Sequence, residues 1–398
     1  MRPMSLWLRI GLFLVILAVG TVAALVVGET TGLALADLSR APVEAMTETG
    51  PDGTIYAALG GERAGIYRSN ETGLSWQRVE AGPGAEINTL AVHPADRQVM
   101  YAATVAGEDL KQSNLWYSND GGKSWEQTRL LLPATAEGQL PAINALAVAP
   151  DQSNDLYVGT EGQGLYRYYV GQGRYDRIGN TTQQNLYVRE IVTGPDQQVY
   201  AVTTDGLLRV RGNSSQKIDS LPDVAVSLAV DPANGQTLYA GTVGYGVYRS
   251  TDGGQSWQPI NEGLGWQPGI ILNVPAIAVD PENPEHLAVA TAYGVGSHLA
   301  SAGIYESFDA GQSWQKVADS EALAQNLSIK NGGIYAATEQ GLVRYGEPAP
   351  AAQPGLWQRV QSLTSPTGMQ LLILVLTFAF GLWVLLGRLA WGSREPAA

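Results

Sequence analysis

The octapeptide Ser250-Thr251-Asp252-Gly253-Gly254-Gln255-Ser256-Trp257 returns as Ser118 to Trp125 and Ser307 to Trp314. A fourth copy, Ser69 to Trp76, carries Glu71 in place of Asp. The spacing S-x-D-x-G-x-S-W has a mechanical sense: Ser and Asp side chains bond backbone groups inside a turn, Gly takes a positive φ, and Trp opens the next strand with a large apolar anchor. The residues assigned to these turns are Ser69, Glu71, Gly73 and Trp76; Ser118, Asp120, Gly122 and Trp125; Ser250, Asp252, Gly254 and Trp257; and Ser307, Asp309, Gly311 and Trp314.

Around each octapeptide the chain repeats. A phrase of the kind Leu156-Tyr157-Val158-Gly159-Thr160 recurs seven times, with Tyr56, Tyr101, Tyr157, Tyr200, Tyr239, Leu287 and Tyr335 as its ruler. The spacing is that of a propeller blade, roughly 40 to 50 residues. Each unit reads as four strands of period two: an inner one such as Ile87 to Val92, closed by Pro94; the Tyr phrase; a third such as Gly246-Val247-Tyr248-Arg249; and a fourth such as Trp357-Gln358-Arg359-Val360. The fold expected is all-β, a seven-bladed propeller of four-stranded blades over residues 37–362, flanked by N- and C-terminal transmembrane helices.

The octapeptides resemble the Asp-box of the bacterial neuraminidase repeat. The wider arrangement, over about residues 40 to 362, resembles repeat propellers of the sialidase-like superfamily, including photosystem II stability and assembly factors. The resemblance implies that Asp120, Asp252 and Asp309 are turn residues on the face away from any active site. A catalytic sialidase would need an arginine triad, a Tyr nucleophile with a Glu beside it and an acid Asp. No Arg-Ile-Pro strand opens such a triad here, and Arg68, Arg167, Arg209, Arg249 and Arg344 hold one equivalent position each. A two-carboxylate hydrolase stays open, because any two acids can meet in the fold.

Composition narrows the function. The chain has 398 residues, a net charge of −13 and no Cys. The acidity argues against nucleic acid. Thiolate metal sites and disulfides are excluded, and three scattered His residues make no metal pair. No metal or cofactor site is expected. Gly121-Gly122-Lys123-Ser124 echoes a phosphate loop but has Tyr117 where the first Gly belongs, so no nucleotide is expected either.

The ends point to a membrane. Residues 10–27 are almost wholly apolar, and residues 360–387 carry no charge. Residues 1–36 read as an anchor or a signal peptide cut after Ala36, and residues 363–398 as a transmembrane helix with a short tail. Arg2 and Arg9 before the first run, with Arg388 and Arg394 after the second, put both ends in the cytoplasm and the propeller on the extracytoplasmic side.

Two surfaces stand out. The longest departures from the repeat, at 105–114, 129–141, 261–273 and 292–302, fall on one face and carry Leu131, Trp266 and Ile271. Residues 167–211 hold six arginines against four acids, whereas 212–310 hold two basic and ten acidic residues. Arg174, Arg177, Arg189, Arg209 and Arg211 are therefore candidate partner contacts; the resemblance implies a client-facing arginine patch in the middle blades, without a residue-by-residue correspondence. The expectation is a non-enzymatic, membrane-tethered scaffold, assembly factor or accessory subunit. It would meet a membrane protein or complex subunit and the lipid bilayer. The alternative is a carbohydrate-binding or glycoside-hydrolase-like surface protein.

Overall fold

The computed structural model describes residues 33–346, apart from short stretches of which the longer are 50–53, 70–74, 106–113, 180–185 and 266–269. Both terminal apolar runs, the proposed fourth strand Trp357 to Val360, Glu71, Gly73 and Trp266 lie outside the described residues. Among the described residues no helix is long and apolar enough to cross a membrane.

Seven antiparallel sheets follow one another along the chain, each a meander in sequence order from its innermost strand outward. Six have all four repeat strands and the seventh shows three among the described residues. The short strand Leu33–Ala34 adds to the outside of blade 1, pairing Leu33 with Trp76. The all-β seven-bladed architecture is thus as expected. Blades 7 and 1 close the ring, with Tyr335, Ala337 and Leu342 buried against Met46, Ile55 and Tyr67. Closure leaves no first or last sheet face to cover, so the ring holds without disulfides.

The Tyr phrase is buried because the second strand lies between two others of its sheet and between two neighbouring blades. Leu238 through Thr242 are all buried, as are the matching residues of blades 2, 3, 4 and 7. The Thr that ends the phrase turns its hydroxyl onto the loop carbonyl ahead: Thr160 Oγ1 donates to the Gly164 carbonyl at 2.7 Å, and Thr242 to Gly246 at 2.9 Å. That bond satisfies a polar group which would otherwise be buried unpaired.

Register corrects one sequence alignment. In blade 5 Leu238 faces Ser250 and Tyr239 faces Arg249; in blade 6 Leu287 faces Ser307 and Ala288 faces Glu306. Ala288, not Leu287, therefore holds the Tyr position, and Glu306 the Arg position. The stretch 292–302, expected as a loop, continues instead as a hairpin, Leu287–Val295 with His298–Ser307.

The three Asp-boxes described in full join one blade to the next. Ser118 Oγ accepts the Gly122 amide at 2.8 Å, and Asp120 Oδ1 accepts the Ser118 hydroxyl at 2.8 Å and the Ser124 amide at 2.9 Å. Blades 5 and 6 repeat this around Asp252 and Asp309. Gly122, Gly254 and Gly311 have φ of 87°, 86° and 85°. A Cβ there would lie 2.4 Å from Val79, 3.1 Å from Ile218 and 2.4 Å from Ile260 respectively. Each of these aliphatic side chains comes from the preceding blade, so the Gly of the box is the socket for its neighbour. Trp314 Nε1 adds a bond to the Ile260 carbonyl at 2.7 Å.

Candidate functional site

Every innermost strand breaks register near its start. The bulged residue is Glu44, Asn88, Asn144, Arg189, Val226 or Gln325 in six blades, and Val274 with Pro275 in blade 6. A bulge re-aims a side chain out of the ladder. Here it does so seven times around the mouth of the central channel, on the face opposite the Asp-boxes. Glu44, Asn144, Arg189 and Gln325 are exposed there.

Acids collect on one side of this mouth. Glu44, from blade 1, has its carboxyl pushed above the usual range, first by desolvation and then by the negative charges of Glu86 and Glu339. Glu86 precedes the inner strand of blade 2, where its carbonyl accepts the Val105 amide at 3.0 Å. Glu339 sits in the turn between the second and third strands of blade 7 and accepts a bond from the Gln325 side-chain Nε2 at 3.3 Å. Three blades thus bring together three carboxylates that are far apart in sequence.

Across the channel stand Arg189 and Glu190. Glu190 occupies the position just past the bulge, held elsewhere by Ala45, Thr89, Ala145, Ser227, Ala276 and Asn326. In three blades this side chain clips the next one: Glu190 Oε2 accepts the Leu228 amide at 3.2 Å, Ser227 Oγ donates to the Val274 carbonyl at 2.8 Å, and Asn326 Nδ2 donates to the Met46 carbonyl at 3.3 Å. Enclosure in the channel raises the Glu190 carboxyl to about 7, against the smaller opposing effects of the Leu228 amide and Arg189. Tyr187 and Tyr245 are exposed on the same face at 43% and 53%.

The sequence-predicted contact residues do not form one patch. Arg189 stands at the channel mouth. Arg174 bonds Asp176 at 3.0 Å and covers the Tyr169 ring at 3.7 Å, on the hairpin that closes blade 3. Arg177 lies beside Gly164 at the outer rim of blade 3. Arg209 and Arg211 line a cleft on the Asp-box face. Leu131 and Ile271 are exposed, but their neighbours Leu130, Leu132 and Leu272 are buried and anchor the loops. The repeated arginines pack on their own blades, where Arg167, Arg209, Arg249 and Arg344 each lie over the Tyr of the adjacent second strand at 5.7–5.9 Å, and Arg209 also bonds the Gly253 carbonyl of blade 5. Arg167 also pairs with Asp151 at 2.6 Å and Asp155 at 2.9 Å.

Sequence reasoning missed Glu44, Glu86, Glu190 and Glu339. No linear signal marks them, because a bulge is a property of strand pairing. The hint available was an acid at an inner-strand position where six other blades have small or neutral residues.

The BNR/Asp-box repeat family matches residues 116–127 and 248–259. A xyloglucanase of Hypocrea jecorina (strain QM6a) is 27% identical over 222 residues, which is 52% of this chain and 24% of the relative. The chain therefore spans about a quarter of that relative's length. The solved GH74 enzyme of Niastella koreensis matches 79% of this chain and 53% of its own, with a TM-score of 0.59 at 18% identity. YCF48 from Cyanidioschyzon merolae matches 78% of this chain and 97% of its own, with a TM-score of 0.54 at 11% identity.

The xyloglucanase likeness overturns the expectation of a non-enzymatic scaffold, assembly factor or accessory subunit. The curated relative is named a xyloglucanase, which favours the hydrolase alternative, while the solved neighbours share the fold. The sequence argument tested for a sialidase triad and left a two-carboxylate hydrolase open without naming its acids. Acids delivered by bulges and turns of separate blades leave no such motif. The chain is a seven-bladed β-propeller built on BNR/Asp-box repeats.

Proposed function

We propose that the propeller is a glycoside-hydrolase-type module that takes a polysaccharide chain across the channel-mouth face. The observation that carries this reading is the meeting of Glu44, Glu86 and Glu339 from three blades at the channel mouth, an arrangement that pushes the Glu44 carboxyl up. Hydrolysis of a glycosidic bond needs one carboxyl that holds its proton and a second that is ionised, and the two roles are separated by environment. Glu44 would give its proton to the leaving oxygen as the bond to the anomeric carbon breaks. Water would add to that carbon, and its proton would pass to Glu86 or Glu339. Tyr187 and Tyr245, on the same face across the channel, offer flat faces to sugar rings further along the polysaccharide chain. The named xyloglucanase relative supports a branched β-glucan as substrate class.

The test is release of reducing ends from xyloglucan by the full chain. Glu44→Gln should lower kcat by 100-fold or more while polysaccharide binding persists. Wild-type protein that releases no reducing ends from xyloglucan or related β-glucans would overturn the reading, and so would a Glu44→Gln variant of full activity. In the same proposal the apolar runs at 10–27 and 371–386 tether the module to a membrane with the propeller on the extracytoplasmic side. Protease added to intact cells should then degrade the propeller, and full protection would refute that placement.

A further inference from the structure

Blade 4 lacks an Asp-box. Its third and fourth strands, Gly206–Arg211 and Ser214–Ile218, join by a tight hairpin in which Arg211 faces Ser214. Blade 5, beside it, carries the complete box around Asp252. Where blade 4 would otherwise present a matching box, the Asp-box face has a cleft of about 460 Å³. That volume lies within the range of small-molecule sites, roughly 300–1,000 Å³.

The lining is polar. Four glutamines, Gln197, Gln198, Gln236 and Gln255, contribute amides, and Tyr200, Arg209, Arg211 and Asp252 complete the wall. Amide side chains offer a donor and an acceptor side by side, which matches adjacent sugar hydroxyls. Some groups are already engaged: Tyr200 donates to Gln198 at 2.9 Å, Arg209 bonds the Gly253 carbonyl, and Gln255 bonds the Asp252 carbonyl at 3.0 Å. The Asp252 carboxylate accepts the hydroxyls of Ser250 and Ser256 and the amides of Gln255 and Ser256, which hold it well below its ordinary pKa. Arg211 is different. It is exposed and has no ion-pair partner among the described residues.

Two guanidiniums against one saturated carboxylate leave the cleft positive in a chain of −13. Gln197, on its lip, holds φ at 59°, the turn geometry that Asn154 and Asn331 share at the matching positions of blades 3 and 7, at 56° and 49°. We infer that this cleft is a second saccharide site, selective for an acidic sugar whose carboxylate pairs with the Arg211 fork while its hydroxyls meet the glutamine amides. The carbohydrate class rests on the proposed function, whereas the preference for an acid rests on the cleft alone. The site lies on the face opposite Glu44, so it would hold a charged chain or side branch without entering the cleavage step.

The experiment is calorimetric titration of the full chain with a glucuronate-containing oligosaccharide, the neutral gluco-oligosaccharide of equal length, and inorganic phosphate. Wild-type protein should bind the glucuronate ligand at least tenfold more tightly than the neutral one. Arg211→Ala should weaken it by roughly ten- to a hundredfold, as the loss of a bidentate charge-assisted contact implies, with Arg211→Lys in between. Equal affinity for the neutral sugar, unchanged binding by Arg211→Ala, or phosphate that binds as tightly and displaces the saccharide would overturn the inference. Reducing-end release by Arg211→Ala separates the two proposals. Hydrolysis with no uronate binding removes the cleft site alone, and uronate binding without hydrolysis removes the glycosidase reading alone.

Discussion

Replacing Glu190 with Gln should stabilise the propeller at alkaline pH and leave it unchanged in acid. The unfolded carboxyl titrates near its ordinary value of 4.5, while the folded one is raised to about 7. Between these values the folded state holds a proton that the unfolded state has released, so stability falls as pH rises through the window. Below it both states are protonated and Glu190 contributes nothing; above it the whole penalty applies. A shift from 4.5 to about 7 corresponds to roughly 3 kcal/mol at 1.36 kcal/mol per unit. Because the channel leaves the side chain partly open to solvent, the working figure is about 1–2 kcal/mol.

Glutamine keeps the shape and, through its carbonyl oxygen, the bond from the Leu228 amide, so the clip between blades 4 and 5 survives. Thermal unfolding of wild type and Glu190→Gln at pH 4 and pH 8 isolates the effect, since other titrating groups cancel in the difference. The expected gain is roughly 2–4 °C at pH 8 and none at pH 4. An equal gain at both values would mean that the amide improves packing and that the charge is irrelevant. No gain at pH 8 would mean that water in the channel solvates the carboxylate fully.

Two further outcomes follow from the same geometry. Gly122→Ala and Gly311→Ala should each cost about 2–4 kcal/mol, from a positive φ and a Cβ 2.4 Å from Val79 or Ile260. Gly254→Ala, at 3.1 Å from Ile218, should cost less, and equal losses in urea denaturation would show that the sockets do not discriminate. The rate of reducing-end release should fall on the alkaline side as Glu44 loses its proton, with the midpoint above the usual carboxylate range. A profile that stays flat through that range would exclude Glu44 as the acid.

The features legible in the sequence are those made within a few residues. The Asp-box closes through bonds between residues two and four apart, such as Ser118 to Asp120 and Asp120 to Ser124, so its spacing can be read directly. The Tyr phrase shows through because its strand is buried on all sides and every position must be small or apolar. Blade 6 marks the limit of that reading. With Ala288 in the Tyr position, the nearest large residue, Leu287, was one place out of register, and only pairing reveals it.

The amino-acid sequence by itself determined the number of blades, the strand order within them, the acidic charge and the turn chemistry, because each depends on local patterns repeated at nearly constant intervals. The tertiary structure decided which charges meet. Closing the ring brings Glu339 of blade 7 to Glu44 of blade 1 and Glu86 at the start of blade 2. It sends Arg189 to one face and Arg211 to the other. The physical reason is that a bulge and a closed ring are set by hydrogen-bond register and packing between strands remote in sequence. The same two features place each side chain on the channel, on a rim or in a cleft.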